Sequence, residues 1–203
     1  MTTLMLIRHG RTAWNAEGRW QGQADPPLDA IGLQQAEALA AHLKAEPITA
    51  IYSSPQIRAR QTAEALAAAL PPGVPVILDD RLKERNIGAW EGLTMAEVHE
   101  RFPDGYHPEW WINGAPGGEN LAELTARTAA AFGEIAAAHP EAAIAVVSHG
   151  GALNAYLFDL LQIAPGKRVT FRFDNTALAR ISVSPGRVHL ISLGEAPYLN
   201  GLV

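Results

Sequence analysis

Short aliphatic and β-branched runs alternate along the chain with longer stretches whose apolar residues recur every three or four positions. The run Leu4 to Ile7 reads as a strand. From Asp29, a side chain suited to capping a helix, Leu33, Ala36, Leu39, Ala40 and Leu43 fall on one helical face. Residues 49–54 (TAIYSS) read as a second strand. Ser54 before Pro55, a cap followed by proline at the first helical position, predicts a helix over 55–70 that Pro71-Pro72-Gly73 ends. Val74 to Leu78 is a third strand, and residues 94–102 (TMAEVHERF) a short helix. Asn120 can cap a long helix through Ala138. A strand at 143–148 (AIAVVS), a helix at 151–161, and strands at 176–183 and 187–193 complete the pattern.

Strands that alternate with helices of ten or more residues imply an α/β fold in three layers, with a mostly parallel central sheet and helices on both faces. The last two strands, joined by Ser184-Pro185-Gly186, should form an antiparallel hairpin. A length of 203 residues suits one domain over 1–203. Its lid or insertion segment lies at about 94–120, where residues 103–120 are rich in Pro, Gly and aromatics. In open α/β sheets ligands bind beyond the carboxyl ends of the strands. Arg8, His9 and Gly10 leave the first strand; Ser53, Ser54 and Arg58 leave the second; Glu84 follows the third; His149 and Gly150 leave the fourth. All four groups should meet in one crevice.

The formal net charge of −5 supplies no overall attraction to nucleic acid or to an anionic membrane surface, so any anion site must be local. No cysteine is present, which removes thiol chemistry and disulfide frameworks. The N-terminal apolar run is too short for a signal-peptide core, and the longest uncharged stretch, 142–158, contains Ser148, His149, two glycines and Asn154. The expectation is a cytoplasmic protein with no membrane or nucleic-acid partner; a homodimer is one arrangement the sequence leaves open. His42, His99, His107, His139 and His189 lack zinc-ligand spacing, so no metal or other cofactor is expected.

Two arginines, two histidines and a carboxylate define a chemistry. Arg8 and Arg58 each present a planar fork of donors that fits two oxygens of a tetrahedral dianion. Fixed positive charge beside them disfavours imidazolium, which leaves a neutral, nucleophilic histidine. His9 could then attack phosphorus in line, while His149 and the arginines stabilise charge on the equatorial oxygens. Glu84 would protonate the leaving alkoxide and later take a proton from water. Arg60 and Arg85 read as surface charges. Ser53, Ser54 and Ser148 raise the alternative of a serine hydrolase with His149 as base, but no G-x-S-x-G elbow exposes a nucleophile. Neither a P-loop nor a G-x-G-x-x-G fingerprint is present.

On these motifs the chain resembles the phosphoglycerate mutase-like branch of the histidine phosphatase superfamily. LIRHGRTAWN is similar to its R-H-G-x-[ST]-x-x-N signature, and RWQGQADPPLDAIGLQQA to the continuation, with Trp20 in place of Phe and Asp29 in place of Ser or Thr. YSSPQIRARQTAE resembles the segment of the second arginine, LKERNIGAWEGLT that of the proton donor, and VVSHGG that of the second histidine. The resemblance implies a phosphohistidine on His9 and phosphate contacts from Asn15, Gln21 and Gly22. On the residues alone, Asn15 could equally stabilise its turn and Gln21 face solvent. The resemblance also sets Thr176 near the site.

The family includes mutases and phosphatases. Between Glu84 and His149 there is no lysine, and the arginines, Arg85, Arg101 and Arg127, are never adjacent, which leaves few partners for the carboxylate of a phosphoglycerate. Tyr106, His107, Trp110 and Trp111 either form an apolar lid over a varied leaving group or pack inward as a minor core. The expected activity is a metal-independent phosphomonoesterase acting on a small phosphorylated metabolite. The alternatives are a 2,3-bisphosphoglycerate-dependent phosphoglycerate mutase and a non-catalytic phosphate sensor.

Overall fold

The computed structural model describes residues 1–203 except 104, 105, 108, 164–169, 200 and 203. Among the described residues six strands form one sheet: β1 (Thr2–Arg8), β2 (Ile48–Ser53), β3 (Val76–Leu78), β4 (Ala143–Ser148), β5 (Leu178–Ser184) and β6 (Arg187–Glu195). Their spatial order is β3-β2-β4-β1-β5-β6, with β3, β2, β4 and β1 mutually parallel and β5 and β6 antiparallel. The helices between them are α1 (Ala13–Ala16), α2 (Ala30–Leu43), α3 (Ile57–Ala69), α4 (Met95–Arg101), α5 (Trp110–Asn113), α6 (Leu121–Ala138) and α7 (Gly150–Leu160).

The period-two geometry of a strand explains why the central strands read as unbroken apolar runs: successive side chains point to opposite faces, and both faces are covered. Leu4 and Leu6 of β1 and Ile144 and Val146 of β4 pack with Phe132 and Ile135 of α6 and with Leu153 and Leu157 of α7. Met5, Ile7, Ala145 and Val147 point the other way, against Leu39 and Leu43 of α2 and Ala59, Ala63 and Leu66 of α3. The expected three-layer α/β architecture is therefore present, as a mixed sheet whose antiparallel part is the C-terminal hairpin.

Several local expectations need correction. Leu33 is 46% exposed, because the helix turns only Ala36, Leu39, Ala40 and Leu43 of the expected face inward. Asp29 caps α2 as anticipated, its Oδ1 accepting from Gly32 N at 2.7 Å. Ser54 does not cap α3: the capping position is Gln56, whose amide donates to Ser54 Oγ at 3.3 Å, so the helix starts two residues late. The third strand begins at Val76 rather than Val74, and the fifth at Leu178 rather than Thr176. Within the segment at 103–120 the chain forms the short helix α5, which no periodicity signalled; residues 104, 105 and 108 of that segment lie outside the described residues.

Phe132 stacks on Tyr156 at 4.0 Å between ring centroids and links α6 to α7 beneath the sheet. Phe132→Ala should lower unfolding stability by about 3–5 kcal/mol in a urea titration, the range for a buried aromatic truncated without collapse of the site. A loss under about 1 kcal/mol would mean that this face repacks freely.

Candidate active site

The register Arg8↔Ser148 between β1 and β4 places the next residue of each strand, His9 and His149, side by side at the carboxyl edge of the sheet. Their ring centroids are 5.1 Å apart. His9 N donates to Ser148 O at 3.0 Å, so the two turns are tied by one further rung of the ladder. Behind His9, Thr176 N and Asn175 Nδ2 donate to its carbonyl at 3.2 and 3.1 Å. Thr176 achieves this in a left-handed conformation (φ 61°), rare for a β-branched residue. The polar contact expected of Thr176 is thus made by its backbone to the His9 backbone, and its hydroxyl bonds Asn175 O instead.

The loop after His9 lies directly on the first turn of α2. A Cβ at Gly32 would sit 2.0 Å from Arg11 O, so only glycine permits the approach. Gln35 Oε1 then accepts from Arg11 N at 2.8 Å, and Thr62 Oγ1 from Gly10 N at 3.0 Å. Asn15 closes the turn reciprocally with Thr12 and also accepts from Asn175, which occupies its carbonyl oxygen. Its amide donors remain for the cleft that it lines.

A cleft of about 430 Å³ opens over the histidines. Arg8, His9, Asn15, Gln21, Gly22, Arg58, Glu84, Gly150, Trp110 and Trp111 line it, so every expected lining residue is brought to one place, and His149 adjoins His9 beneath them. Gln21 is buried, its Oε1 accepting from Thr12 Oγ1 at 3.0 Å, rather than facing solvent. Arg58 is fully buried: Nη1 donates to Ala24 O at 2.7 Å and Nη2 to Gly22 O at 3.0 Å, which leaves Nε without a partner. Arg8 anchors Nη1 on Phe173 O at 2.7 Å and likewise leaves Nε free. Both nitrogens of His149 are buried and unpartnered.

His9 Nδ1 lies 2.7 Å from Gly10 O. A carbonyl can only accept, so the proton is assigned to Nδ1, and Nε2 of the neutral ring carries the lone pair. Burial, then the charges of Arg58 and Arg8, hold the His9 pKa well below the usual 6.5. Burial, Arg58, His9 and Arg8 do the same to His149. Burial also pulls Arg58 down to about 10, which still leaves it a cation at neutral pH.

Glu84 reaches the N-terminus of α7, where its oxygens accept from Gly151 N (3.0 Å), Ala152 N (3.1 Å) and Arg85 N (2.8 Å). The helix end suits an anion, and Gly151 lets it approach: a Cβ there would lie against Glu84 Oε1. Arg85 departs from expectation. It is 8% exposed, donating Nε to Glu119 O at 2.8 Å and Nη1 to Trp111 O at 2.7 Å, with Nη2 unpartnered in the cleft wall. Its position next to Glu84 in the chain was the available signal. Arg60, by contrast, is a surface charge paired with Glu64.

The two readings of the aromatic segment both hold, for different residues. Trp110 packs on Trp20 and Trp90 at 4.6 and 5.4 Å and also lines the cleft with Trp111. Tyr106 instead packs on Trp90 and His99 in the minor core. Leu121, Leu124, Ala155 and Phe158 add apolar surface to the lining of the cleft.

The model of the histidine phosphatase superfamily (branch 1) matches residues 4–196. The chain belongs to that superfamily. Phosphoserine phosphatase 1 of Hydrogenobacter thermophilus is 33% identical over 204 residues, covering 98% of this chain and 95% of that protein. The probable phosphoglycerate mutase GpmB of Yersinia enterocolitica is 36% identical over 190 residues, covering 89% and 85%. Among solved structures, a mycobacterial glucosyl-3-phosphoglycerate phosphatase in complex with VO3 superimposes with a TM-score of 0.84 at 30% identity, covering 96% of this chain and 99% of that one. The chain is accordingly a histidine-type phosphatase of phosphoric monoesters. No helix among the described residues is long and apolar enough to cross a membrane.

Because both imidazoles stay neutral in the fold at a pH where free histidine takes up a proton, the unfolded chain binds more protons below 6.5. Stability is therefore full above that value and falls as the pH drops through it. Urea unfolding between pH 7.5 and 5.5 should show this slope, and His149→Gln should flatten it by up to about 1.4 kcal/mol per pH unit. An unchanged slope would mean that His149 is already protonated in the fold.

Proposed function

We propose that the protein hydrolyses small phosphorylated metabolites through a phosphohistidine on His9. One observation carries the reading: Arg8 and Arg58 line the same cleft as His9, each with a buried Nε that has no partner among the described residues, and the unpartnered ring of His149 lies 5.1 Å from that of His9. Buried donors are ordinarily satisfied, and a tetrahedral anion would satisfy these together.

In the proposed reaction, Nε2 of His9 bonds to phosphorus as the bond from phosphorus to the leaving oxygen breaks. Arg8, Arg58 and His149 stabilise the equatorial oxygens, already oriented before charge develops. The ester binds as its monoanion and passes its proton to the Glu84 carboxylate, which gives it to the leaving alkoxide as the bond to phosphorus breaks. As a carboxylate it then takes a proton from water, whose oxygen attacks phosphorus and displaces His9. Asn15 and Gln21 hold the phosphoryl group from the loop after His9. The positive charge that a metal ion would bring to phosphoryl transfer comes here from guanidinium groups.

The leaving alcohol would lie against the wall of Trp110, Trp111, Leu124 and Phe158, beside Arg85 Nη2. A cation there favours esters whose alcohol carries an acidic group, so phosphoserine, the substrate that names the Hydrogenobacter relative, heads the panel. The Yersinia relative supports the mutase as second reading; a mutase would isomerise 3-phosphoglycerate faster than it releases phosphate. We take the setting to be the cytoplasm and the partner to be the ester itself.

The purified protein should hydrolyse p-nitrophenyl phosphate in EDTA, and acid-stable trapping methods are unsuitable for phosphohistidine, so rapid quench into base should reveal label on His9. His9→Ala should abolish both signals; activity that survives it removes the nucleophile. Arg58→Ala should lower kcat/KM by about a thousandfold or more, since about 1.4 kcal/mol of lost transition-state stabilisation corresponds to each factor of ten. Glu84→Gln should slow alkyl esters far more than nitrophenyl phosphate, whose leaving group hardly needs a proton.

A further inference from the structure

Arg127 lies on α6, outside the cleft lining, yet all five of its guanidinium donor positions are used around the segment that delivers Glu84. Nη1 donates to Arg81 O at 2.8 Å and to Lys83 O at 2.7 Å; Nη2 donates to Glu84 O at 3.0 Å. Nε and Nη2 also grip the Glu119 carboxylate at 2.6 and 2.8 Å. Glu119 in turn fixes the other flank: its amide donates to Asn86 O at 2.8 Å, and its carbonyl accepts Arg85 Nε. On the opposite side, Gln56 Oε1 accepts from Glu84 N at 2.8 Å. The backbone of Glu84 is thus held from both directions, and Arg127 supplies the grip on its carbonyl.

We propose that Arg127, paired with Glu119, is a positioning residue for the general acid: it sets where the Glu84 carboxyl stands and acts on the leaving group only through it. This rests on the reading of Glu84 as proton donor. A guanidinium is suited to the task because its rigid fork joins three carbonyls and one carboxylate in fixed geometry, which a lysine ammonium cannot reproduce. Without it, Glu84 keeps the α7 amides but loses the constraint on its own backbone, and misplacement of a catalytic group by about 1 Å can cost about a hundredfold. Arg127 also bears electrostatically on His149. That influence belongs to the phosphoryl side of the reaction and would affect all esters alike, which separates the two roles.

The experiment compares kcat/KM on p-nitrophenyl phosphate with that on phosphoserine, an alkyl ester that needs its leaving group protonated, for Arg127→Gln, Glu119→Gln, Glu84→Gln and the double variant Arg127→Gln/Glu84→Gln. Arg127→Gln should lose at least about tenfold more on the alkyl ester than on the aryl ester, and Glu119→Gln should show the same selectivity more weakly. The double variant should lose no more alkyl-over-aryl selectivity than Glu84→Gln alone, because both changes remove one function. Equal losses on the two esters, or selectivity losses that multiply in the double variant, overturn the proposal. If Arg127→Gln does not fold, Glu119→Gln decides, with uniform loss counting against it. A wild-type protein inactive on both esters, or a Glu84→Gln variant without leaving-group selectivity, would instead count against the catalytic reading itself.

Discussion

The pairing of β1 with β4 is the constraint from which the site follows. Two parallel strands in register end together, so His9 and His149 emerge at the same height on neighbouring threads of the sheet. β1 and β4 are the central pair of the sheet, covered on both faces and flanked by further strands, so packing on every side holds the backbone there in place. Everything else, including the loop on Gly32 and the carbonyls that orient Arg58, is arranged around that fixed pair.

Rigidity matters because the site is electrostatically uncomfortable. Arg8 and Arg58 are cations taken largely out of water beside two histidines that cannot become charged. Carbonyls satisfy part of each guanidinium, and Glu84 supplies the opposing charge, but Nε of both arginines stays open. Such an arrangement gains most from an anion with several oxygens, and more as the transition state spreads charge onto them. The protein holds these dipoles in place through its packing, so little reorganisation is left for the reaction.

In the proposed reaction a second layer of control lies around Glu84. Glu84 does not stand at a strand end in the way the histidines do; it lies on the connection that follows β3, a strand of three residues. That connection needs support, and it comes from the α7 amides, Gln56, and the Arg127–Glu119 pair on α6. Arg85 uses the same framework to bring a cation into an otherwise aromatic and aliphatic wall. Glu84 and the apolar wall of the cleft therefore share their supports.

Local sequence determined the strands, the helix faces and the five polar groups that the structure gathers at the cleft, because backbone periodicity, capping and the chemistry of Arg, His and Glu are properties of short stretches. It also allowed the rule that strand ends converge to bring Arg8, His9, Arg58, Glu84 and His149 together. Only the tertiary structure decided which side chains outside those motifs belong to the site. Arg85 and Arg60 look alike in the chain, yet one is buried against Trp110 and the other lies on the surface. Tyr106 and Trp110 are equally aromatic, yet Tyr106 packs only in the minor core while Trp110, the first residue of a four-residue helix, packs there and lines the cleft as well. Arg127 finds Glu84 across 43 residues of chain. Burial and the pairing of distant groups depend on how elements pack, and no local pattern encodes that.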